Sequence, residues 1–346
     1  MPKTQKISIY KEYYGRQTVL REFGKKGQEK LAQSKVAVVG LGGLGTVSSL
    51  YLTLAGVGNL RLIDQDTVEL NNLHRQVLYS PEDLNYPKVE VSARRLAKAN
   101  PLVKVEPVPE NLNAHNVEKL LSGMDCVVDG LDNMRTRYLV NRTCVRLGIP
   151  YVFGAAIGIE GNLSVFASPE TPCLECVLPS IDDEYILTCE ARGVLGVTPG
   201  IIGTMQAMET IKVLAGMGSA LKGKLMICDF SDMYFTIIDI FKRDGCPACQ
   251  GRVSVPEMKE RLVWPCGRNT ANINPEKPLR MTPNQVYESI RKNFKVRIKS
   301  QLAIVFDYKN FEISLFNGGR MLIKNVKDGE SALMVYREIR KKLGGS

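Results

Sequence analysis

Cys173-Leu174-Glu175-Cys176 and Cys246-Pro247-Ala248-Cys249 are two Cys-x-x-Cys pairs, the spacing with which both sulfurs can bind one tetrahedral ion. The 69 residues between the pairs exceed the span of a zinc ribbon, so the fold must bring them together. Four thiolates leave no position for water, which points to structural zinc; the alternative is four free thiols. A second constellation is Gly40-Leu41-Gly42-Gly43-Leu44-Gly45, which satisfies G-x-G-x-x-G between a short apolar run and a helical pattern. Glycine lets backbone approach a phosphate, and a helix N-terminus supplies unpaired N–H groups. Asp64 follows Gly45 by 19 residues, where a carboxylate can hold a ribose hydroxyl. Arg75 and Lys88, just past it, are cations suited to a polyphosphate. Gly130-Leu131-Asp132-Asn133 ends a further strand, and a carboxylate beside phosphates there is a Mg²⁺ ligand. Taken singly, Arg75 and Lys88 read equally well as surface charges and Asp132 as a helix N-cap. The glycine loop alone would also fit a nicotinamide-dependent oxidoreductase, or a turn with no ligand.

Cys189 follows Thr188 in the polar stretch 180–198, with Arg192 close by. A thiolate near a basic group is nucleophilic, and an unreactive loop thiol is the competing reading. Cys126, Cys144 and Cys228 fall in apolar runs and read as core. Nine cysteines with no secretory leader in view argue for reduced thiols and a cytoplasmic protein. With His74 and His115 the only histidines, a His-rich metal site is excluded.

These residues need a scaffold. At 346 residues, 44% apolar and 24% charged, the chain is globular and long enough for two domains. No apolar run is long enough to span a bilayer. The net charge of +10 is concentrated: residues 271–346 hold 15 Lys/Arg against 7 Asp/Glu, and the first 270 are near neutral. Such a tail serves nucleic acid or an acidic protein equally well. Helical spacing over 11–32 predicts an N-terminal arm. Strand and helix then alternate: strands at 36–39, 59–63, 103–108 and 124–129, helices at 44–55, 88–99, 114–121 and 133–147, and a β run from 150 to 166. That alternation builds a doubly wound, mostly parallel α/β sheet. A long loop is expected over 168–198, a helix over 201–217 and two strands within 222–241. Residues 255–278, with four prolines from Pro256 to Pro278, read as a linker after a first domain of 1–254. The remainder, 279–346, reads as a small α+β domain of helix, three strands and helix, with a turn at Gly318-Gly319.

The sequence from about Tyr13 to Cys249 resembles the ThiF/MoeB/HesA family, the adenylating relatives of ubiquitin-activating enzymes. The resemblance is carried by Gly40-x-Gly42-Gly43-x-Gly45, Asp64-x-Asp66, Asn72-Leu73-x-Arg75-Gln76, Pro87-Lys88, Asp132-Asn133, Gly154-Ala155-Ala156 and the two cysteine pairs. It implies that the glycine loop cradles ATP, Asp64 holds the ribose, Arg75 and Lys88 contact phosphates, and Asp132 organises Mg²⁺. It further implies a homodimer in which Arg16, within Tyr14-Gly15-Arg16-Gln17, enters the partner's site. The implied substrate is a β-grasp carrier ending in Gly-Gly. Its C-terminal carboxylate would be adenylated, then pass to sulfur or through Cys189 toward a conjugating enzyme or sulfurtransferase. Neither membrane nor nucleic acid is called for, and a non-catalytic carrier-binding scaffold is the remaining alternative. The basic C-terminal domain departs from the family core: with no cysteine beyond Cys266 it is no active rhodanese, and its element order is not that of a β-grasp carrier. We read it as a partner-recruitment domain. The ending Leu343-Gly344-Gly345-Ser346 resembles a carrier tail with one residue too many.

Overall fold

The computed structural model describes residues 10–181, 193–252, 262–263, 269–275, 279 and 281–343. Its main domain is an eight-stranded sheet in the order β3-β2-β1-β4-β5-β6-β7-β8. The strands are β1 (Lys35–Val39), β2 (Asn59–Ile63), β3 (Lys104–Val108), β4 (Cys126–Asp129), β5 (Tyr151–Ile157), β6 (Glu160–Phe166), β7 (Lys224–Asp229) and β8 (Tyr234–Asp239). The first five are parallel and the last three antiparallel. The apolar run at 150–166 is therefore a hairpin, turned at Gly158 with φ +58°.

Alternation along each strand sends residues to both faces. Val36, Val38, Leu60 and Leu62 pack under the helices Gly24–Gln33, Gly43–Ala55, Lys88–Ala99 and Val197–Ala215. Ala37, Val39, Ile63 and Val127 pack under Val117–Leu121 and Met134–Leu147. Glycines in the left-handed region, Gly56 and Gly148, end two of these helices by returning their N–H groups to the last turn.

Three expectations need correction. The arm is broken: a short helix, Gly15–Thr18, precedes Gly24–Gln33. The stretch expected to be a linker contains β10 (Thr270–Ile273), all four residues buried, paired with the short β9 (Leu262–Val263) and with β14 (Met321–Lys324). It belongs to the small domain's six-stranded antiparallel sheet, ordered β11-β12-β13-β14-β10-β9. Residues 295–324 supply four strands of that sheet, not three: β11 (Lys295–Lys299), β12 (Ala303–Tyr308), β13 (Phe311–Phe316) and β14. Helices Pro283–Ile290 and Gly329–Lys342 cover one face, burying Val286, Ile290, Val335 and Ile339 against Ile304, Phe306 and Ile323.

Candidate nucleotide site and cysteine cluster

The order β2-β1-β4 means that the chain leaves β1 in one direction and joins β4 from the other. Open α/β sheets hold ligands at such a switch point, beyond the carboxyl ends of the strands. Val39 pairs with Ile63 and with Asp129, so Gly40, Asp64 and Gly130 emerge side by side. The glycines there are dictated by contact: a Cβ on Gly45 would lie 1.9 Å from the Gly40 carbonyl oxygen, and one on Gly130 2.2 Å from it. Gly40 itself has φ +87°. Gly42 differs. Its backbone is extended, and a Cβ there would meet nothing closer than 3.8 Å. The fold does not need glycine at 42, so an open cradle remains at the N-terminus of helix Gly43–Ala55. Gln76 closes one side, its buried Oε1 lacking a partner among the described residues. An open cradle beside an orphaned polar atom fits a bound polar ligand and suits nucleotide phosphates.

The expected ligands lie on the segments that follow the strand ends beside this cradle. Asp64 accepts hydrogen bonds from the N–H of Leu41 at 2.7 Å and of Asp66 at 2.7 Å, tying the glycine loop to the end of β2. Burial pushes the Asp64 carboxyl up, Lys88 opposes that, and Asp66 adds to it. Lys88 is no surface charge: it is 3% exposed, opens the helix Lys88–Ala99, and has Nζ 3.4 Å from an Asp66 carboxylate oxygen. The Arg75 guanidinium donates to the Asn71 carbonyl at 3.1 Å and to Asn72 Oδ1 at 2.6 Å. Gly196 presses on that turn, since a Cβ there would stand 2.4 Å from the His74 carbonyl oxygen. Residues 193–200 thus form a wall of the crevice. Asn133, not Asp132, caps the helix Met134–Leu147, accepting from the Thr136 N–H at 2.9 Å. Asp132 lies exposed at the rim, its Oδ1 3.2 Å from Asn133 Nδ2.

A buried network beneath Asp132 escaped the sequence reading. Asp129 accepts from Arg137 Nε at 3.0 Å, the Tyr151 hydroxyl at 2.6 Å and the Leu131 N–H at 2.8 Å. Arg137 also donates to the carbonyls of Leu131 and Gly154, and Gln206 donates to that of Asp129. The carboxylate–guanidinium pair stiffens the loop that carries Asp132. Its signal was faint: one acid closing an apolar strand, and one arginine a turn into the next helix.

The four cysteines meet. Cys173 Sγ lies 3.8 Å from those of Cys176 and Cys246, and Cys176 Sγ 3.6 Å from that of Cys249. Sulfurs about 2.3 Å from a tetrahedral zinc stand about 3.8 Å apart, so the cluster fits that ion. Burial pushes the Cys249 thiol up to about 11. The first pair is tied to helix Met134–Leu147: Glu175 accepts from Asn141 at 3.0 Å and from Arg142, and Leu174 N–H donates to Asn141.

One expected site residue, Arg16, remains apart from these clusters. Tyr14 and Gln17 anchor the arm at the far end of helix Gly43–Ala55, where Gln17 Nε2 donates to the Ala55 carbonyl at 2.8 Å and a Cβ on Gly56 would strike the Tyr14 ring. Thirteen residues of helix, about 20 Å, separate exposed Arg16 from its own glycine loop. Cys189 lies outside the described residues, as do Gly344–Ser346. Of the described residues on either side, the Ile181 N–H donates to the Tyr138 hydroxyl and the Gly193 carbonyl accepts from the Gly158 N–H.

The model of the ThiF family matches residues 14–248. The sulfur carrier protein adenylyltransferase of Thermus thermophilus is 42% identical over 260 residues, 73% of this chain and 96% of that one. The SAMP-activating enzyme E1 of Haloferax volcanii is 41% identical over 68% of this chain and 87% of its own length. The adenylyltransferase and sulfurtransferase MOCS3 of Drosophila persimilis is 37% identical over 87% of this chain and 67% of its own. Among solved structures, E. coli MccB superposes with a TM-score of 0.62 at 25% identity, covering 69% of this chain and 72% of MccB. No helix among the described residues is long and apolar enough to cross a membrane. The chain belongs to the ThiF family.

Proposed function

We propose that this chain, an adenylyltransferase of the ThiF family, uses ATP to adenylate the C-terminal glycine carboxylate of a ubiquitin-like β-grasp carrier. The observation that carries the reading is the Gly42 cradle with orphaned Gln76, ringed by Asp64, Lys88, Arg75 and Asp132. The carrier carboxylate is already ionised at neutral pH, so it attacks the α-phosphorus without a general base, and pyrophosphate leaves. Asp66, Asn72, Gln76 and Asn133 shape the cradle. Arg75 and Lys88 offset charge growing on the phosphates, and Asp132 would hold Mg²⁺, which would supply further charge stabilisation to the phosphates. Exposed Tyr234, Phe235, Ile237 and Ile238 on β8 offer an apolar surface for the carrier body. The basic small domain, with Lys292, Lys295 and Lys299 exposed, would speed encounter with an acidic carrier, an effect that fades as salt rises and is read in the carrier KM. The four-cysteine cluster holds structural zinc, and its reduced thiols suit the cytoplasm.

Carrier-dependent ATP–pyrophosphate exchange tests the first half reaction. Absence of exchange with any β-grasp protein of the same organism would remove the reading and favour the scaffold or oxidoreductase alternatives. Cys189 acts only afterwards, as acceptor of the acyl group. Cys189→Ala is expected to keep exchange near the wild-type rate and lose any thiol-sensitive covalent complex with the carrier. A complex that survives this substitution makes the adenylate the sole activated species.

The enzyme works as a homodimer. Since Arg16 is held about 20 Å from its own glycine loop, only a second chain can bring it to a site. Exposed Tyr51, Ile201 and Met208 on the paired helices Gly43–Ala55 and Val197–Ala215 give such a chain an apolar face. Arg16→Ala and Asp132→Ala chains, each inactive alone, should recover activity on mixing, because one of the two composite sites then has both residues. No recovery despite demonstrated subunit exchange places Arg16 outside the partner's site.

A further inference from the structure

We infer that Arg320 of the small domain is a positioning residue for the nucleotide site, holding the Asp64–Gln65–Asp66 loop in its ligand-binding shape. The inference rests on the ATP reading above and gives the small domain a role beyond recruitment. The hairpin between β13 and β14 turns through Gly318 (φ +85°) and Gly319 (φ +95°), and the Phe316 N–H closes it on the Arg320 carbonyl at 2.9 Å. This tight turn carries Arg320 out of its own domain's edge and into the main domain. There it is 3% exposed, with its guanidinium 3.7 Å from the centroid of the Phe316 ring.

The directed contacts of that guanidinium converge around Gln65. Nη2 donates to the Gln65 carbonyl at 2.9 Å and to the Pro109 carbonyl, just past β3, at 3.0 Å. Nη1 donates to Asn272 Oδ1 at 3.0 Å, and Asn272 Nδ2 donates to Gln65 Oε1 at 2.8 Å. Gln65 is thus gripped at main chain and side chain, while its two neighbours are the carboxylates that hold Leu41 and face Lys88. Burial pulls the Arg320 guanidinium down to about 10, against Glu110, Asp66 and Asp64, which favour its charge. Its positive charge in turn offsets two carboxylates that would otherwise repel an incoming polyphosphate. Further ties fall on the same stretch: Lys324 Nζ reaches Asn85 Oδ1 at 3.2 Å, and Glu90 accepts from the Gln301 and Leu302 N–H groups. The small domain therefore clamps the segment from Asp64 to Glu90, which also carries Arg75 and Lys88.

The test uses full-length Arg320→Ala, Arg320→Lys and Asn272→Ala proteins, with direct titration of Mg²⁺-ATP and Mg²⁺-2′-deoxyATP. Arg320→Ala is expected to weaken ATP binding about tenfold, the coupling typical of one hydrogen-bond network, and to narrow the preference for ATP over the deoxynucleotide. The lysine variant should fall between, and the carrier KM should not move. Loss of a merely structural contact would lower thermal stability without changing that preference. A folded Arg320→Ala protein that binds ATP as the wild type does overturns the inference; should it not fold, the other two variants decide in the same way. If the wild type binds no ATP, the parent reading fails, and hydrogen exchange at the Leu41 and Asp66 amides judges the clamp separately. Faster exchange in the variants supports it, and unchanged protection overturns it.

Discussion

Replacing Asp132 with alanine is expected to lower ATP–pyrophosphate exchange by about a hundredfold to a thousandfold, the effect of removing one preorganised charge-stabilising group from a transition state. The fold should survive. Asp132 is exposed, the adjacent helix keeps its cap on Asn133, and the loop beneath remains held by the Asp129–Arg137–Tyr151 network. Unfolding free energy should therefore change by no more than about 0.5 kcal/mol, as for other surface substitutions. Asp132→Asn separates charge from size: it keeps the shape and should lose nearly as much exchange. Exchange at the wild-type rate in the alanine protein would take Asp132 out of the reaction.

The second large effect concerns the cysteine cluster. The native protein is expected to contain about one zinc per chain, and Cys246→Ser, or strong chelation, should release it. The loss should cost on the order of 4 kcal/mol or more, because metal binding is part of the folding free energy and no apolar packing replaces it. For a domain of this size that lowers the unfolding temperature by about 10 °C. The damage should travel. Glu175, between two ligands, is bound by Asn141 and Arg142 of the helix that begins beside Asp132, so exchange should fall with the metal. Metal analysis and calorimetry on the same sample decide the matter: a zinc-free native preparation of full stability would end the claim.

Where sequence reading succeeded, the determinant was local. Backbone geometry decides the glycine loop, so Gly40 and Gly45 announce it within six residues. The alternation of strand and helix placed the parallel strands β1 to β4, and the helix expected near 88–99 runs over Lys88–Ala99. Where reading failed, the determinant was not local. Thr270–Ile273 carries a polar amide and sits among prolines, which suggests a linker; pairing with β14 and β9 makes it a buried strand, and Gln65 and Arg320 satisfy Asn272. Likewise Asp132 read as well as a helix cap as a metal ligand, and the structure gives the cap to Asn133 instead.

Residue order was enough to specify the glycine loop, the two Cys-x-x-Cys pairs and the alternation of the main sheet, because each depends on residues within a few turns of one another. Which distant groups share a site was left to tertiary packing. It joined Cys173 to Cys246 across 73 residues and Arg320 to Gln65 across 255. It also kept Arg16 away from its own glycine loop. Such unions follow from strand order and domain docking, which local spacing does not encode, since a side chain buried against a remote partner has the same neighbours in sequence as one left in water.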